Sequence, residues 1–252
     1  PALSPNTENM YPRIRLASAK FRKLIKLAGN PAYWPALRNG VAASVEHSRI
    51  PFGEDFATVL DIGASRGQFA LFSRENFPRA EIMCFEPQPG PAEELLAVIG
   101  DDVTLIRSAL GPEPGSANMN VSARDDSSSL LAIGERQVAE FPGTGTDHTI
   151  EVPVTTLDDA VTRPVARPCL LKIDVQGFEL DVLRGGSETL AEVDVALIEC
   201  SFVELYEGQA LADEVVPLML ESGFHLAGVH ETVYSADGSA IQADFLFRRP
   251  KP

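Results

Sequence analysis

Residues 59–67 read Val-Leu-Asp-Ile-Gly-Ala-Ser-Arg-Gly, and this stretch decides the fold. It belongs to a continuous apolar run over 57–63, which predicts a strand, and it leads into a predicted helix over 66–77. Gly63 permits a sharp turn with close backbone approach to a ligand, and Gly67 allows the helix to start beside the strand. A strand, a glycine turn and a helix in this order predict a nucleotide-type site in an α/β sheet.

An acidic residue follows this turn at the distance expected for ribose recognition. The next predicted strand, 80–86, ends in Glu86, which lies 19 residues after Gly67. In dinucleotide-binding folds a carboxylate about 20 residues beyond the glycine turn holds the ribose hydroxyls. We therefore predict that Glu86 and the neighbouring Pro87 contact a nucleoside.

The residues within the turn favour one nucleoside ligand over another. Asp61 precedes the turn, and Ser65 stands in the middle of it, where a dinucleotide loop prefers a further glycine. A carboxylate repels a pyrophosphate but attracts the ammonium and sulfonium groups of S-adenosyl-L-methionine. We therefore expect the methionine end of that cofactor, in preference to NAD, to contact five residues: Asp61, Gly63, Ala64, Ser65 and Gly67. An ordinary turn without a ligand is the alternative.

The rest of the chain predicts further elements of the same sheet. Short, continuous apolar runs alternate with helical stretches, which is typical of parallel strands covered on both faces. The further strands are predicted at 102–110, 169–175 and 194–200, with a terminal antiparallel pair at 225–230 and 241–248. Two more strands are predicted at 117–122 and 149–155, and helices at 91–100, 178–190 and 211–222. Ser108 and Ala109 end the third strand, where we expect the edge of an adenine ring.

A second group of polar residues follows the fourth predicted parallel strand. Residues 172–179 read Lys-Ile-Asp-Val-Gln-Gly-Phe-Glu. In an open α/β sheet the ligand lies where the strand order reverses. If the first and fourth strands flank that point, Asp61 and Asp174 lie on neighbouring strand ends, and Glu199 comes next along the edge. A role for Asp174 as the N-cap of the following helix is the alternative, and it is compatible with catalysis.

Three residues are candidates for a catalytic base at this edge, namely Asp174, Glu199 and His230. We expect His230 on the loop after the sixth strand, while Asp244, at the start of the last strand, is a weaker candidate. The alternative for Asp174 and Glu199 is a divalent metal site that acidifies a diol. Sequence spacing does not decide between a base and a metal site.

The charge of the chain argues against a nucleic-acid partner. The sequence has 21 Lys and Arg against 36 Asp and Glu, a net charge of −15. Residues 1–50 carry +6 and residues 51–252 carry −21, and so acidic a body repels phosphate backbones. The three cysteines, Cys84, Cys169 and Cys200, lie in apolar runs, so we expect buried thiols in a reducing, cytoplasmic setting. No apolar run is long enough to predict a transmembrane helix.

The basic N-terminal part, 1–56, is predicted to be a helical extension ahead of a domain over 57–252. Within it, residues 13–28 predict a helix whose apolar stripe comprises Ile14, Ala17, Phe21, Leu24 and Ala28. One interpretation packs this stripe on the domain. The other is an interfacial helix that holds the enzyme at the inner face of an anionic membrane.

With these motifs in place, the chain resembles the FkbM family of S-adenosylmethionine-dependent methyltransferases. The matching segments are VLDIGASRGQFAL (59–71), CFEPQP (84–89), SALG (108–111), TLDD (156–159), LLKIDVQGFELDVLRGG (170–186) and LIECSFVELYEGQALADEVVPLMLESGF (197–224). The sequence departs from the family pattern at Ser65, Arg66 and Gln176, where Asn, a small residue and Glu are common. Gln176 cannot act as a base or carry charge, unlike the Glu that is common at this position.

The resemblance implies an α/β class I methyltransferase fold, with a seven-stranded, mostly parallel sheet and helices on both faces. It also implies O-methylation of a hydroxyl on a sugar, glycolipid or natural product. An NAD-dependent oxidoreductase and a non-catalytic nucleotide-binding protein are the alternatives. We expect the acceptor to contact loops at 29–56, 122–148 and 201–210, whose sequences identify neither the acceptor nor an oligomeric state.

Overall fold

The computed structural model describes residues 23–161 and 164–250, and its centre is a seven-stranded sheet. The strands, in chain order, are β1 (Thr58–Ile62), β2 (Glu81–Phe85), β3 (Thr104–Ile106), β4 (Ala109–Leu110), β5 (Gly115–Ser122), β6 (Thr146–Thr155), β7 (Cys169–Ile173), β8 (Val195–Ser201), β9 (His225–Tyr234) and β10 (Ala240–Arg248). The order across this sheet is β3–β2–β1–β7–β8–β10–β9. The strands β4, β6 and β5 form a smaller second sheet.

The helices, in chain order, are α1 (23–29), α2 (Trp34–Arg38), α3 (Gln68–Asn76), α4 (Pro89–Ile99), α5 (Glu135–Glu140), α6 (Leu157–Ala160), α7 (Glu179–Arg184), α8 (Ser187–Leu190) and α9 (Ala212–Glu221). Short 3-10 turns occupy Pro31–Tyr33, Val45–Arg49 and Asp125–Ser127. No helix in the described ranges is both long enough and apolar enough to cross a membrane.

The strand order reverses between β1 and β7, as the sequence predicts. The chain runs from β1 outward to β3 and then returns to β7 on the other side of β1, with all these strands parallel. Every residue of β1 and β7 is buried, which explains their continuous apolar runs. In this sheet β10 runs antiparallel to both of its neighbours, β8 and β9, and so opposite in direction to the other six strands. The predicted α/β class with a mostly parallel seven-stranded sheet is confirmed.

The predicted third strand, 102–110, is wrong in its length. It divides into β3, in the main sheet, and β4, which pairs with β6 in the second sheet. Ala109 packs there against Met119 and Val152, and this small apolar cluster draws the chain away from the main sheet. The two additional predicted strands correspond to β5 and β6, which pair antiparallel.

The predicted helix over 178–190 is also divided, into α7 and α8. The break falls at Gly185 and Gly186, where the chain passes close to the backbone of Gly111 and to the side chain of Leu157. A Cβ atom at either glycine would overlap these neighbours. Close packing of the two chain segments therefore interrupts the helix.

Two hydrophobic cores cover the two faces of the sheet. Alternate residues of a strand point to opposite faces, so Val59 and Leu170 belong to one core, while Leu60 and Leu171 belong to the other. Helices α3 and α4 cover the first face, and α7 and α9 cover the second. The predicted burial of all three cysteine thiols is confirmed, and none forms a disulfide.

The described part of the N-terminal extension packs into the first core. Nine of its side chains belong to that core, namely Leu27, Tyr33, Ala36, Val41, Ala43, Val45, Ile50, Phe52 and Phe56. In α1 the orientation differs from the predicted stripe, because Leu27 is buried while Leu24 and Ala28 are exposed. Lys23 and Lys26 point to the domain instead, where they contact Glu46 and Ser48. The rest of the predicted stripe, Ile14 to Phe21, lies outside the described residues.

Candidate active site

A cavity of about 550 Å³ opens at the carboxyl ends of β1, β2, β7 and β8. This volume lies in the range of small-molecule sites. Nine of the predicted site residues line it: Gly63, Ala64, Ser65, Glu86, Pro87, Ser108, Ala109, Asp174 and Glu199. Asp61, Gly67 and His230 do not line it. The loops after four strands therefore meet at the edge where the sequence places the ligand.

The glycine turn is shaped by contacts with neighbouring elements. Gly63 has φ +77°, and a Cβ atom there would overlap the carbonyl of Asp174, which follows β7. Gly67 has φ +86°, and a Cβ atom there would press on Ile99 of α4. Gly63 therefore brings two strand ends together, while Gly67 serves the packing of the helix rather than the cavity wall.

Glu86 ties the turn after β1 to the loop after β2. Its Oε2 accepts a hydrogen bond from the Ser65 amide at 2.9 Å, and its Oε1 accepts one from the Gln88 amide at 2.8 Å. Burial raises the pKa of Glu86 to about 7, although these hydrogen bonds lower it. Each carboxylate oxygen keeps a lone pair beyond these bonds, so Glu86 can also accept hydrogen bonds from a diol.

Asp61 lies beneath the cavity rather than in its wall. Its side chain is fully buried at the end of β1, and its nearest charged partner is Lys172 Nζ, 3.6 Å away. Burial raises the pKa of Asp61, and Lys172 lowers it. The predicted proximity of Asp61 to the cofactor's ammonium group is therefore indirect, because Lys172 lies between this carboxylate and the cavity wall.

Lys172 lines the cavity, although the sequence alone assigned it no role. Its Nζ lies 3.3 Å from Asp174 Oδ2 and donates to the Gly63 carbonyl at 3.3 Å. Burial lowers its pKa, but Asp174, Asp61 and Glu199 together raise that pKa above the ordinary value. The site therefore contains a permanent cation. The pairing of β1 with β7 is the signal that could have identified Lys172, because it places Lys172 directly opposite Asp61.

Asp174 and Glu199 lie side by side, as predicted, and Gln176 joins them. Gln176 Nε2 donates to Asp174 Oδ1 at 2.7 Å and to Glu199 Oε2 at 2.9 Å. Glu199 Oε1 accepts a third amide hydrogen bond, from Gln242 at 2.7 Å. Burial raises the pKa of Glu199 well above its usual value, and Asp174 and Asp244 raise it further.

The carboxylate of Asp174 does not cap the following helix. The N-cap position of α7 is Phe178, and the Asp174 side chain contacts Lys172 and Gln176 instead. Glu179 orders this turn, because its Oε1 accepts from the Val175 and Gly177 amides at 3.1 Å. Burial raises the pKa of Glu179 to about 7.

The histidine at the cavity is His47, not His230. His230 lies within β9 rather than on the predicted loop. Its register partner on β10 is Asp244, but the Asp244 carboxylate approaches His47, with Oδ2 at 3.3 Å from Nε2. His47 and Asp244 both line the cavity, and the His47 ring packs edge-on against Phe69 at 5.2 Å. The sequence offers no local motif around His47, so only the tertiary structure identifies it.

The cavity is closed by two of the three loops predicted to face the acceptor. From 122–148 come Asp126, Ser128 and Leu130, and from 29–56 come Ser44, Val45, Glu46, His47 and Arg49. The third loop, 201–210, does not line the cavity but supplies Tyr206, whose hydroxyl contacts Gln176 at 2.7 Å. In the part of the chain that the structure describes, no three His, Cys, Asp or Glu side chains group as a metal site.

Known proteins of similar fold or sequence include several methyltransferases. A solved 1,6-didemethyltoxoflavin-N1-methyltransferase from Burkholderia thailandensis, with bound S-adenosylhomocysteine, matches at a TM-score of 0.44 and 13% identity, covering 100% of this chain and 92% of that chain. The chain is 31% identical over 170 residues to 2-O-methyltransferase NoeI of Sinorhizobium fredii, covering 64% of this chain and 70% of that protein.

The 31-O-demethyl-FK506 methyltransferase FkbM of Streptomyces tacrolimicus is 26% identical, over 70% of this chain and 76% of its own length. A family model described as the methyltransferase FkbM domain matches residues 61–226, which is most of the chain. The protein therefore belongs to the FkbM family of methyltransferases, and S-adenosyl-L-methionine is its cofactor.

Proposed function

We propose that this enzyme methylates a hydroxyl oxygen of a sugar, a glycolipid or a hydroxylated natural product. The observation that carries the proposal is the placement of Asp174 and Glu199 in the cavity wall, where carboxylates can accept a hydroxyl proton. The names of two relatives, a 2-O-methyltransferase and a 31-O-demethyl-FK506 methyltransferase, support transfer to oxygen. Membership of a methyltransferase family sets aside the NAD-dependent oxidoreductase alternative.

The cofactor half of the cavity suits S-adenosylmethionine on two observations. The carboxylate of Glu86 lines the wall with lone pairs to spare, and the turn residues Gly63, Ala64 and Ser65 line the wall as well. We assign the ribose hydroxyls to Glu86, the methionine end to the turn from Gly63 to Ser65, and the adenine edge to Ser108 and Ala109. The bound cofactor supplies a methyl group on a sulfonium, which is already activated for transfer.

Activation of the acceptor therefore falls to the protein. An alcohol is too weak an acid to ionise beforehand, so its proton must pass to a base as the oxygen forms its new bond. Asp174 is the proposed base, because Lys172 and Gln176 hold its carboxylate in one orientation at the wall. Glu199 is the second candidate. A positioned base contributes about 10²- to 10⁴-fold to rate, and alignment of the reacting atoms contributes more.

The test measures S-adenosylhomocysteine release with a panel of hydroxylated acceptors, followed by mass spectrometry and NMR to locate the new methyl group. We expect an O-methyl product from the wild-type enzyme. The variant Asp174→Asn should lose about 10²-fold or more in kcat while binding S-adenosylmethionine normally in calorimetry. Products methylated at nitrogen or carbon would contradict the proposal, and full turnover by Asp174→Asn would remove the base assignment.

We further propose that the enzyme meets its acceptor at an anionic membrane surface. Because Lys23 and Lys26 turn toward the cavity rim, α1 presents Leu24 and Ile25 outward, 58% and 56% exposed. Trp34, 45% exposed, contacts the same helix one turn further along the chain, with its Nε1 donating to the Ala28 carbonyl. We name Leu24, Ile25 and Trp34 the outer patch.

Charge favours a membrane as the occupant of the outer patch. Residues 1–50 carry +6, and the remaining residues carry −21. An anionic surface therefore attracts the N-terminal part and repels the acidic body, which orients the protein with α1 toward the lipid. Lys23, Lys26 and Arg49 line the cavity, so the segment that would meet the lipid also forms part of the cavity wall.

A further inference from the structure

We infer that Gln176 is a positioning residue that bridges Asp174 and Glu199 with a neutral amide, in the place that a divalent cation would otherwise take. The inference rests on the proposed base function of the Asp174 and Glu199 pair. Two carboxylates that share a buried site need a proton, a cation or hydrogen-bond donors between them. In this chain the donors come from a side-chain amide.

The orientation of the amide follows from its neighbours. Asp174 forms an ion pair with Lys172, and an ionised carboxylate only accepts hydrogen bonds, so the Gln176 atom that contacts Asp174 and Glu199 must be the NH₂ group. The opposite atom, Oε1, lies 2.7 Å from the hydroxyl of Tyr206, which can donate to it. Tyr206 is buried, and it therefore fixes the amide in the bridging orientation.

The backbone of Gln176 is held in an unfavourable conformation to make this bridge. Its φ is +57°, in the left-handed region that residues other than glycine rarely adopt. The Gln176 carbonyl accepts from Ser129 Oγ at 2.7 Å, and Glu179 binds the amides on either side. Strain that the surrounding structure maintains in this way is typical of functional positions.

The charges around the pair explain why a neutral bridge suits a base. Lys172 faces Asp174 from β7, while Glu179 and Asp244 add negative charge near Glu199. His47, on the N-terminal segment, faces Asp244. A metal ion between the carboxylates would bind their lone pairs and lower their basicity, whereas amide N–H groups leave further lone pairs for a proton.

Replacement of the Gln176 amide by a carboxyl group of the same size tests the bridge. Gln176→Glu keeps the size of the side chain but replaces two N–H donors with a third carboxylate. A carboxyl group with a raised pKa in the folded state destabilises the protein above its unfolded pKa, and the destabilisation shrinks as the pH falls. We expect the Tm of Gln176→Glu to lie roughly 10 °C below wild type at pH 8, with a smaller gap at pH 5.

Added metal ions provide the second readout. We expect Mg²⁺ or Mn²⁺ to raise the Tm of Gln176→Glu and to leave the wild type unchanged. The double variant Gln176→Glu/Glu199→Gln restores one amide and two carboxylates, so it should recover most of the Tm and lose the metal response. This double variant also keeps the test informative if Gln176→Glu alone does not fold.

Three outcomes would overturn the inference: a wild-type Tm that rises with divalent metal, a Gln176→Glu variant with wild-type Tm at every pH, or a double variant that recovers no stability. None of these thermal measurements requires methyl transfer. A failure to detect an O-methyl product would therefore count against the proposed function alone.

Discussion

The Nε2 atom of His47 lies 3.3 Å from Oδ2 of Asp244, and this pair joins two chain segments that both lie outside residues 61–226. Edge-on packing against Phe69 and Phe72 fixes the His47 ring. The wall of the cavity therefore depends on contacts between the N-terminal segment and the last strand of the sheet.

Loss of this pair should affect the acceptor more than the cofactor. We expect His47→Gln to raise the KM for the acceptor about 3- to 10-fold, which corresponds to loss of one interaction of about 1 kcal/mol. The Kd for S-adenosylmethionine, measured by calorimetry, should change by less than about 2-fold. A matched change at His148, which is exposed and paired with Asp147 on β6, serves as the control. An equal effect of both changes would show that the pair has no part in acceptor binding.

Glu86 should make cofactor binding depend on pH. Its pKa is raised to about 7, so the carboxyl group is half protonated near that pH, and further protonation at lower pH removes acceptor capacity for the ribose hydroxyls. We expect the affinity for S-adenosylmethionine to fall as the pH decreases from 8 to 6. The variant Glu86→Gln should bind weakly, with little dependence on pH over the same range. A steep pH dependence that persists in Glu86→Gln would assign the titration to another group.

Removal of the cation that lies between the Asp61 and Asp174 carboxylates should destabilise the fold. Lys172→Met leaves Asp61 fully buried without its ion-pair partner, at a cost of about 3–5 kcal/mol. The Tm should fall by roughly 6–20 °C. The double variant Lys172→Met/Asp61→Asn removes both charges and should recover part of this loss. Thermal unfolding followed by circular dichroism measures the Tm of each variant. Equal Tm values for the single and double variants would contradict the coupling between Lys172 and Asp61.

The outer patch should bind anionic vesicles. We expect the wild-type protein to co-sediment with phosphatidylglycerol vesicles and not with phosphatidylcholine vesicles. Leu24→Glu/Ile25→Glu should abolish this pelleting, whereas Leu220→Glu, at an apolar site on α9 that is 49% exposed, should not. Light scattering gives the oligomeric state of each protein. A dimer that only the Leu24→Glu/Ile25→Glu change dissociates, with no vesicle binding, would identify the patch as a subunit interface instead.

The sequence predicts the centre of the sheet well because buried parallel strands leave a strong local signal. The apolar runs at β1 and β7 are continuous, and the strand order that follows brings Asp61 and Asp174 to neighbouring ends. Where packing between distant segments decides the length of an element, the predicted bounds are wrong. Gly111 and Leu157 interrupt the helix after Glu179, and no residue near Gly185 in sequence reveals that contact.

The same limit applies to the site. Glu86 and Asp174 follow strands at informative distances, so the sequence locates them at the cavity. His47 reaches the cavity only because the N-terminal segment packs over the sheet, which no spacing encodes. The choice of His230 instead followed from its position after a predicted strand, which in fact continues through Tyr234.

The packing of residues 27–56 into the first core has a consequence for chimeric enzymes. An exchange of residues 61–226 alone between relatives would graft the glycine turn and the carboxylate pair onto a foreign N-terminal segment and a foreign last strand. The graft would mismatch apolar side chains such as Tyr33 and Phe56 with the helices they pack against, and it would leave the His47–Asp244 pair behind in the parent chain. Junctions placed ahead of α1 and beyond β10 would keep each cavity with its own wall.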